Sequence, residues 1–482
     1  MMPLGAMAAE VTSAAGSLAG AMGSVALATE TELTVRGSVD ASDLWFISEN
    51  MPALRRLDLS EATIAAYKGA SLHGVTVSAA DMVPAGVFAG SGLTAVELPR
   101  QGALTVGPNA FAGSALTSLT VPANAVRVAE GAFLGCDALT TVTVSGPAAI
   151  GDGAFAASDV TTLTFGAATT AGAKSFHGCT RLATLEGEQQ LTAIGADAFA
   201  GCTALTDFDF GGALTAIGDG AFRGSGLQAV DLRGCTALTD VGAWAFADLS
   251  ACTRAAMAPA ARLQRGVFFG CPQLSDFTTS DGIEAVPDYA YTGNAAMKGE
   301  GLLGRASTIG KYALKGLSGV TAVTLPDNIE YLGDRAMADM TSLRTVNVGA
   351  AAVPELGDDV WHGVSQPDVV LYVPAKAIDD YKSAPQWREF DIKDLMSGEE
   401  TVAIDVARPH LRGRFAGDEL QVSVNGLDID RLSVCNAAGA VLITVEPRTD
   451  CVAIATEGLA ERVYIIHAAL SDGRTASLKL SK

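Results

Sequence analysis

Residues 194–205 read Ile-Gly-Ala-Asp-Ala-Phe-Ala-Gly-Cys-Thr-Ala-Leu, and variants of this stretch recur along most of the chain. Its phenylalanine marks a position, here called the ladder position, that holds Phe nine times and then Tyr, Leu, Met and Trp. The ladder positions are Phe88, Phe111, Phe133, Phe155, Phe176, Phe199, Phe222, Phe246, Phe268, Tyr291, Leu314, Met337 and Trp361. Because they recur every 21–24 residues, the sequence predicts thirteen structural repeats of one length class.

The residues around the ladder position recur as well. Five residues before it, twelve of the thirteen repeats carry an aliphatic side chain, Ala171 being the exception. Two residues after it, ten repeats carry Gly, the exceptions being Ala157, Asp248 and Asp339. Glycine fits a tight turn or a close backbone approach, and Asp tolerates left-handed backbone better than most residues. We therefore predict a turn at every ladder position, with Ala157 as the residue that does not fit.

A short strand follows each predicted turn. In Leu116–Pro122 and Leu139–Val144, Leu or Val alternates with Thr or Ser, the period-two pattern of a strand with one buried face. One repeat buries too little apolar surface to offset its chain entropy, whereas stacked repeats join their apolar positions into continuous ladders. The predicted fold is mainly β with short helical and turn segments. It is a solenoid about 60 Å long, at about 4.8 Å per repeat.

The consensus of the repeats, Ile-Gly-x-x-Ala-Phe-x-Gly-Cys-x-x-Leu-Thr-x-Val-x-Leu-Pro, resembles the BspA-like leucine-rich repeat. The resemblance covers about residues 80–392. That family is associated with cell-surface and secreted proteins that bind host proteins or other cells, and not with catalysis. The resemblance therefore implies a leucine-rich-repeat solenoid with a binding role.

Residues 1–79 are predicted to form an N-terminal cap that covers the first apolar edge of the array. A strand is expected at Leu33–Val39, and a helix at Ala41–Ser48 with Asp40 or Ser42 as its N-cap. Residues 51–60 resemble a leucine-rich strand, and the beginning of the chain is a candidate for a residual signal region.

The other end of the array is predicted at Val369–Pro374, with Tyr381, Trp387 and Phe390 packing behind that strand. Residues 393–400 are interpreted as a linker. Residues 401–482 alternate apolar and polar side chains between turn signals, which predicts a small β-sandwich of six or seven strands. The positions expected to face its core include Leu420, Val422, Val424, Leu432, Val434, Val441, Ile443, Val445, Val452, Ile454 and Ile465.

The strand order of residues 401–482 and their end, Thr475–Lys482, resemble the C-terminal sorting domain of type IX secretion cargo. This resemblance implies export or anchoring. No complete signal peptide is visible, because the first basic residue is Arg36. The uncharged stretch Val11–Thr29 is too weakly apolar for a membrane span. We expect no transmembrane segment and a location outside the cell or on its outer surface.

The chain has 32 Lys+Arg and 53 Asp+Glu, a net charge of −21. This balance excludes nucleic acid as a partner, because binding phosphates requires Lys and Arg. The eight cysteines include no CxxC pair and the five histidines have no metal-ligand spacing, so no metal or cofactor is expected. Four cysteines share the position three after the ladder position and are predicted to be small buried fillers: Cys136, Cys179, Cys202 and Cys271. The sequence leaves open whether Cys435 and Cys451 form a disulfide.

One candidate binding surface lies on the outward face of the predicted strands. A stripe of Thr runs there into an acidic cluster of Glu186, Asp207, Asp209 and Asp231. Carboxylates on neighbouring strands can bind Ca²⁺, here chiefly at Asp207 and Asp209, or a basic partner. The alternative is a solvated face that is acidic for solubility.

A second candidate surface uses the position two before the ladder position. Trp244, Tyr289, Tyr312 and Arg335 occupy it where other repeats carry Gly, Asn or Asp. Exposed aromatics can stack on sugars or anchor a protein partner, and Tyr, Trp and Arg are enriched at interfaces. The alternative is that they pack only on adjacent loops.

No enzyme motif of the GxSxG, HExxH or P-loop type occurs, and we predict a protein that is not an enzyme. The leading hypothesis is an exported, adhesin-like scaffold that binds an extracellular protein or glycan, as a monomer or weak oligomer. The competing hypothesis is a structural acidic spacer in a surface assembly, without a specific ligand.

Overall fold

A computed structural model describes the chain in two compact units, residues 1–397 and 398–482. The first unit is described over residues 9–23, 25–167, 169–258, 261–278, 283–298 and 302–395. The second unit is described over residues 411–416, 419–424, 428–436, 441–449, 451–455, 463–471 and 475–481. The first is a solenoid of stacked parallel coils and the second is a pair of antiparallel sheets, which confirms the predicted fold class.

Every ladder residue lies in a turn, and its side chain points into the solenoid. None of the thirteen side chains is more than 3% exposed. The nine Phe rings form one continuous stack, with neighbouring centroids 5.2–5.6 Å apart. The backbone N–H of each ladder residue up to Met337 donates to a carbonyl in the next repeat, as from Phe199 to Ala221 at 2.7 Å. Side chains and backbone therefore join the repeats at the same place.

Short parallel strands flank the turns on both sides. The pre-turn strands are Met82–Val83, Leu104–Val106, Ala125–Val128, Ala149–Ile150, Thr169–Ala171, Leu191–Ile194, Ala216–Ile217, Asp240–Val241, Arg262–Leu263, Ala285–Val286, Thr308–Ile309, Tyr331–Leu332 and Glu355–Leu356. The post-turn strands are Ala95–Glu97, Ser118–Val121, Thr141–Val144, Thr162–Phe165, Thr184–Glu186, Ala229–Asp231, Arg254–Ala256, Asp276–Thr278, Ala322–Leu325, Thr345–Val348, Val370–Val373 and Asp391–Asp394. The first nine pre-turn strands form one sheet, whereas the post-turn strands are divided among several shorter sheets.

The parallel stack begins well before residue 80. Strands Ala9–Ser13, Glu32–Val39 and Arg56–Asp58 lie in one parallel sheet with Ala95–Glu97, so the predicted cap is continuous with the array. The further N-terminal elements are helices Leu18–Ala21 and Ala41–Asn50, strand Ala62–Ile64 and the antiparallel hairpin Tyr67–Leu72 and Val75–Ser78. Asp40 caps the second helix, as predicted, by accepting from the backbone of Ser42 and Asp43.

Buried Asp43 ties these N-terminal elements together. Its carboxylate accepts hydrogen bonds from the backbone N–H of Gly16, Leu18 and Asp40 at 2.7–3.0 Å. The helix that carries Asp43 is thereby bound to the turn that follows the first strand. Leu18 and Met22, which lie in the region considered as a residual signal, are at most 2% exposed.

Each turn contains two residues with left-handed backbone, one two positions before the ladder position and one two positions after it. All thirteen repeats have φ between 51° and 83° at both positions. Ala157 shares this geometry with φ 53° although it is not glycine. The repeat backbone is therefore constant, and Ala157 bears local strain that glycine avoids.

Aromatic side chains close the far end of the array as predicted. Tyr381 lies in helix Ile378–Ser383, and Trp387 lies in the 3-10 turn Trp387–Glu389, which Phe390 follows. The other 3-10 turns are Glu188–Gln190, Gln366–Asp368 and Ala375–Ala377. Trp361 contacts Trp387 and Phe390 at ring-centroid distances of 5.4 and 4.9 Å. The last strand extends to Asp394, into the segment predicted as a linker, and residues 396–400 lie outside the described residues.

The recurring cysteines are buried and make the same contact in each repeat. The Sγ atoms of Cys136, Cys179, Cys202 and Cys271 donate to the carbonyl of the ladder residue in the preceding repeat at 3.2 Å. Asn294 takes this role in the next repeat, where its side-chain nitrogen donates to the Phe268 carbonyl at 2.9 Å. These positions therefore serve packing, and burial raises the pKa of the Cys271 thiol to about 12.

The second unit has seven strands in its described residues. One sheet contains Leu411–Ala416, Glu419–Val424 and Cys451–Ala455, and the other contains Val441–Val445, Ile429–Asn436, Val463–Leu470 and Thr475–Ser481. Two expectations about its core are wrong. Val441 is 60% exposed, because a bulge at Leu442 interrupts the alternation of the strand. Tyr464 and Ile466 are buried where Ile465 was expected. Strand Val463–Leu470 is apolar on both faces, so its sequence pattern does not indicate which face is buried.

Tyr291 and Tyr381 provide a matched test of the buried packing. The Tyr291 hydroxyl is buried in the ring stack without a hydrogen-bond partner among the described residues, whereas the Tyr381 hydroxyl donates to the Ala350 carbonyl at 3.3 Å. We expect Tyr291→Phe to raise the free energy of unfolding by about 1 kcal/mol and Tyr381→Phe to lower it by about 1 kcal/mol. Denaturant titration measures both, and a loss in Tyr291→Phe would contradict the assignment.

Thiol accessibility provides a second test. All eight cysteines are free, and Cys451 is the exposed one. A thiol-reactive chromophore should therefore label one cysteine in the native protein and eight after unfolding in denaturant, because burial withholds the others and disfavours their thiolates. Cys451→Ser should reduce the native count to zero. A count of six after unfolding without reductant would instead indicate a disulfide.

Candidate functional site

The acidic residues predicted on the strand face do lie outward, but the sheet is interrupted among them. Residues 206–210 form no strand, and the post-turn sheet that ends at Thr184–Glu186 resumes only at Ala229–Asp231. Asp207 and Asp209 are exposed, while Phe208 and Phe210, which alternate with them, are buried against the ring stack. The expected ladder of carboxylates on adjacent paired strands is therefore absent at this place in the described chain.

Asp207, Asp209 and Asp231 line one open depression together with Arg233. Arg233 neutralises part of this charge: it forms hydrogen bonds to both carboxylate oxygens of Asp231 and holds the pKa of that carboxyl below its usual value. Glu186 lies apart from the depression and accepts from the Thr164 hydroxyl at 3.3 Å. Among the described residues, no group of three or more His, Cys, Asp or Glu side chains is placed to hold a metal ion.

The second candidate surface forms a continuous row along the turns. Although the position two before the ladder position has left-handed backbone in all thirteen repeats, Gly, Asn or Asp fills it in only eight. The five larger residues are Lys174, Trp244, Tyr289, Tyr312 and Arg335. Four of these five lie within the span of five consecutive repeats, where only Gly266 intervenes. Because the backbone is constant, the fold does not dictate this choice of side chains.

The aromatic rings of the row contact one another. Tyr289 and Tyr312 stack with centroids 5.2 Å apart, and Trp244 lies 6.1 Å from Tyr289. Trp244 also packs edge-on against Phe269 at 5.3 Å. These side chains are half-buried, so each has a solvent-facing edge.

Gly266 makes the contact between Trp244 and Tyr289 possible. A Cβ atom at Gly266 would lie 2.3–2.7 Å from three atoms of the Trp244 indole. The indole therefore occupies the space above this glycine and reaches across one full repeat toward Tyr289.

Cationic side chains lie among the rings. The Arg265 guanidinium lies 5.7 Å from the Trp244 ring centroid and 4.8 Å from that of Tyr289. The ammonium groups of Lys311 and Lys315 lie 5.4 and 5.5 Å from the Tyr312 centroid. We call the whole surface the aromatic–cation row; its members are Trp244, Arg265, Phe269, Tyr289, Lys311, Tyr312, Lys315 and Arg335.

Three of the four cations have carboxylate partners within the array. Ion pairs join Lys311 to Asp334 at 3.1 Å, Lys315 to Asp339 at 3.5 Å and Arg335 to Asp359 at 3.2 Å. The bond to Asp334 also raises the pKa of Lys311. Arg265 differs, because it is exposed and no carboxylate among the described residues pairs with it.

The row contributes little net stability to the fold. Each residue other than glycine in left-handed backbone costs about 1 kcal/mol or more. An aromatic pair stabilises by about 0.5–1.5 kcal/mol and an exposed cation–π contact by about 0.5–1 kcal/mol. Since the favourable and unfavourable contributions are of similar size, the large side chains of the row are not explained by folding.

Sequence reasoning found Trp244, Tyr289, Tyr312 and Arg335 but missed the residues between them. Arg265 and Lys311 lie three before a ladder position, and Phe269 and Lys315 lie one after it. Aligning the repeats on those two columns would have shown the same cluster. The preference for Gly, Asn and Asp two before the ladder position likewise signalled its left-handed backbone.

Comparison with protein families finds the same repeats. The family model for the BspA type leucine-rich repeat region matches residues 65–183, 169–298 and 302–366, together more than half of the chain. The sorting-domain resemblance of residues 401–482 lies outside these matches and stays a hypothesis. No curated protein matches the sequence.

A solved leucine-rich repeat structure shows a similar fold, and further solved structures align less well. A leucine-rich repeat protein from Bacteroides ovatus aligns with TM-score 0.51 and 18% identity over 76% of this chain and 83% of that one. A leucine-rich cell surface protein from Faecalibacterium prausnitzii aligns with TM-score 0.30 and 19% identity over 50% and 82%. The leucine-rich repeat protein of T. pallidum aligns with TM-score 0.29 and 24% identity over 38% and 78%.

Gly266→Ala tests the placement of Trp244, with Gly86→Ala as its matched control. Both glycines lie two before a ladder position, with φ 64° and 66°, but the site of a Cβ at Gly86 has no atom within 4 Å. Each variant should lose about 1 kcal/mol of unfolding free energy to backbone strain. Gly266→Ala should lose at least about 1 kcal/mol more by displacing the indole, and only it should change the tryptophan fluorescence. Equal losses would contradict this placement.

Proposed function

The chain belongs to the BspA-type leucine-rich repeat family, and from this premise we propose that it is an interaction scaffold of the cell surface or exterior. The family is a generally non-enzymatic repeat scaffold. In this proposal the solenoid presents the aromatic–cation row to an extracellular protein partner, and no catalysis takes place. The row spans several repeats on a rigid array, as a protein-binding surface requires.

The observation that carries the proposal is the concentration of large side chains, four of the five at this position, in one stretch of a constant backbone. The corresponding positions in the earlier repeats include Gly86 and Gly153, where the space that a side chain would take is open. In the row, strained positions instead carry Trp and Tyr, the residue types that dominate the energy of protein interfaces. Strained backbone that carries non-glycine residues in mutual contact is typical of functional surfaces.

The orientation of the rings favours a protein over a glycan. A sugar binds an aromatic residue by covering its ring face, but Tyr289 and Tyr312 stack on each other and Arg265 lies over Tyr289. One face of the Trp244 indole lies against Gly266. The exposed edges and polar ends fit the mixed apolar and hydrogen-bonding contacts of a protein partner.

Location outside the cell is part of the proposal. Members of the family are typically cell-surface proteins, and the C-terminal unit resembles a sorting domain that would bring the scaffold there. In the described part of the chain, no helix has the length and apolar character needed to cross a membrane. The structural spacer remains the competing function, since an acidic solenoid also suits a surface layer.

A triple glycine variant of the row tests the proposal. Trp244→Gly, Tyr289→Gly and Tyr312→Gly together relieve backbone strain while removing the rings, so the unfolding free energy should change by no more than about 2 kcal/mol. Binding to a panel of extracellular matrix proteins should weaken by about a hundredfold or more, because hot-spot side chains are lost. Surface plasmon resonance and denaturant titration provide the two measurements.

The matched control changes the same repeat position elsewhere. Asn109→Gly, Lys174→Gly and Asp197→Gly remove three side chains from left-handed positions of earlier repeats and should leave binding unchanged. If the wild-type chain binds no member of the panel or of a glycan array, the spacer function is favoured. Equal loss in both triple variants would place the binding surface elsewhere.

A further inference from the structure

We propose that Arg265 is an anchor for a carboxylate group, and that the partner of the aromatic–cation row is a protein segment rich in Asp or Glu. This inference rests on the proposed function and names the chemistry of the partner. Three independent features support it: the free guanidinium, the aromatic surroundings of that group and the distribution of charge along the chain.

The first feature is that aromatic contacts hold Arg265 in place and that no carboxylate in the described part of the chain pairs with it. Contacts with Trp244 and Tyr289 on two sides position its guanidinium, at 5.7 and 4.8 Å from their ring centroids. Lys311, Lys315 and Arg335, by contrast, already pair with carboxylates. Ordering a long side chain normally costs entropy on binding, and here the rings have already restricted it. Arg265 therefore has its fork of N–H donors available for an incoming group.

The second feature is the surroundings of that guanidinium. The indole of Trp244 packs edge-on against Phe269, so apolar surface borders the Arg265 site. A carboxylate docked on Arg265 between such walls is partly shielded from water, which strengthens a charge-assisted hydrogen bond. The planar guanidinium matches a carboxylate in a two-point geometry that a lysine ammonium does not offer. Apolar residues beside the acidic group of the partner would cover Trp244 and Phe269.

The third feature is the charge of the chain around the row. Residues 240–320, which hold every member of the row except Arg335, contain seven Lys or Arg and seven Asp or Glu, whereas the rest of the chain contains 25 and 46. The excess negative charge therefore lies wholly outside this segment. An acidic partner is disfavoured by the net negative charge of the rest of the chain. Within the balanced segment, Arg265 is the arginine of the described residues whose guanidinium lies over aromatic rings. Repulsion elsewhere adds specificity, because it disfavours the wrong docking sites.

Peptide selection tests the identity of the partner chemistry. A displayed library of random peptides is panned on the full-length chain and counter-selected on Arg265→Gln. The selected peptides should contain an excess of Asp and Glu, commonly next to an aromatic or aliphatic residue. Their affinity should fall with added salt, since the anchoring contact is ionic. Failure to enrich acidic peptides would overturn the proposal.

Affinity measurements on one selected peptide then locate the anchor. By fluorescence anisotropy, Arg265→Gln should weaken binding about thirtyfold or more, and Arg265→Lys should weaken it less because it retains the charge. The matched control is Arg262→Gln, an exposed arginine on the preceding strand, which should change the affinity by no more than about twofold. Equal affinity of Arg265→Gln and the wild-type chain would overturn the anchor.

The outcomes also separate this inference from the proposed function. If the triple glycine variant loses its protein partner while Arg265→Gln retains it, the row binds protein but not through a carboxylate. If heparin binds with the same dependence on Arg265 and acidic peptides do not bind, the ligand is a sulfated glycan and the acidic protein segment is excluded.

Discussion

The structure depends on one contact that recurs every 21–24 residues: the stacking of a buried ladder side chain on its equivalent in the next repeat. Ring centroids 5.2–5.6 Å apart match the separation that the backbone hydrogen bonds between turns impose. Rings offset at this spacing interact favourably, and the same displacement brings strands to within pairing distance. Each repeat is stable only because its neighbours cover both faces of its ring, so the array folds as coupled neighbours.

The same repetition makes the surface of the solenoid a set of columns. A turn with two left-handed residues per repeat holds each side chain about one strand spacing from its equivalent, whichever residue type occupies the position. Gly, Asn and Asp satisfy that backbone at little cost, and most repeats use them. The four larger residues adopt the same backbone at a cost in strain, and their side-chain contacts contribute a stabilising free energy of similar size. These residues are Trp244, Tyr289, Tyr312 and Arg335. A surface that is neutral for stability in this way is free to be shaped by binding.

The distribution of charge distinguishes the row from the rest of the chain. The net charge of −21 makes most of the chain unfavourable for an acidic molecule and favourable for solubility. The acidic cluster at Asp207, Asp209 and Asp231 belongs to this background, since Arg233 binds Asp231 and the strand ladder is interrupted there. Residues 240–320, which contain every member of the row except Arg335, are balanced in charge, and Arg265 supplies an accessible positive charge within them.

The sequence by itself determined the thirteen turns, the buried ladder, the closing aromatics Tyr381, Trp387 and Phe390, and the two-sheet C-terminal unit. Each of these follows from a periodic pattern among residues that are close together in the sequence. Only the tertiary structure decided that Ala9–Ser13 belongs to the parallel stack, because that strand follows no repeat consensus. It also decided the core face of Val463–Leu470, a strand that is apolar on both sides. Above all, it brought Arg265 between Trp244 and Tyr289. That contact exists because the Trp244 indole extends over Gly266 toward the next repeats. The spacing of residues along the chain does not reveal how far a side chain extends in space.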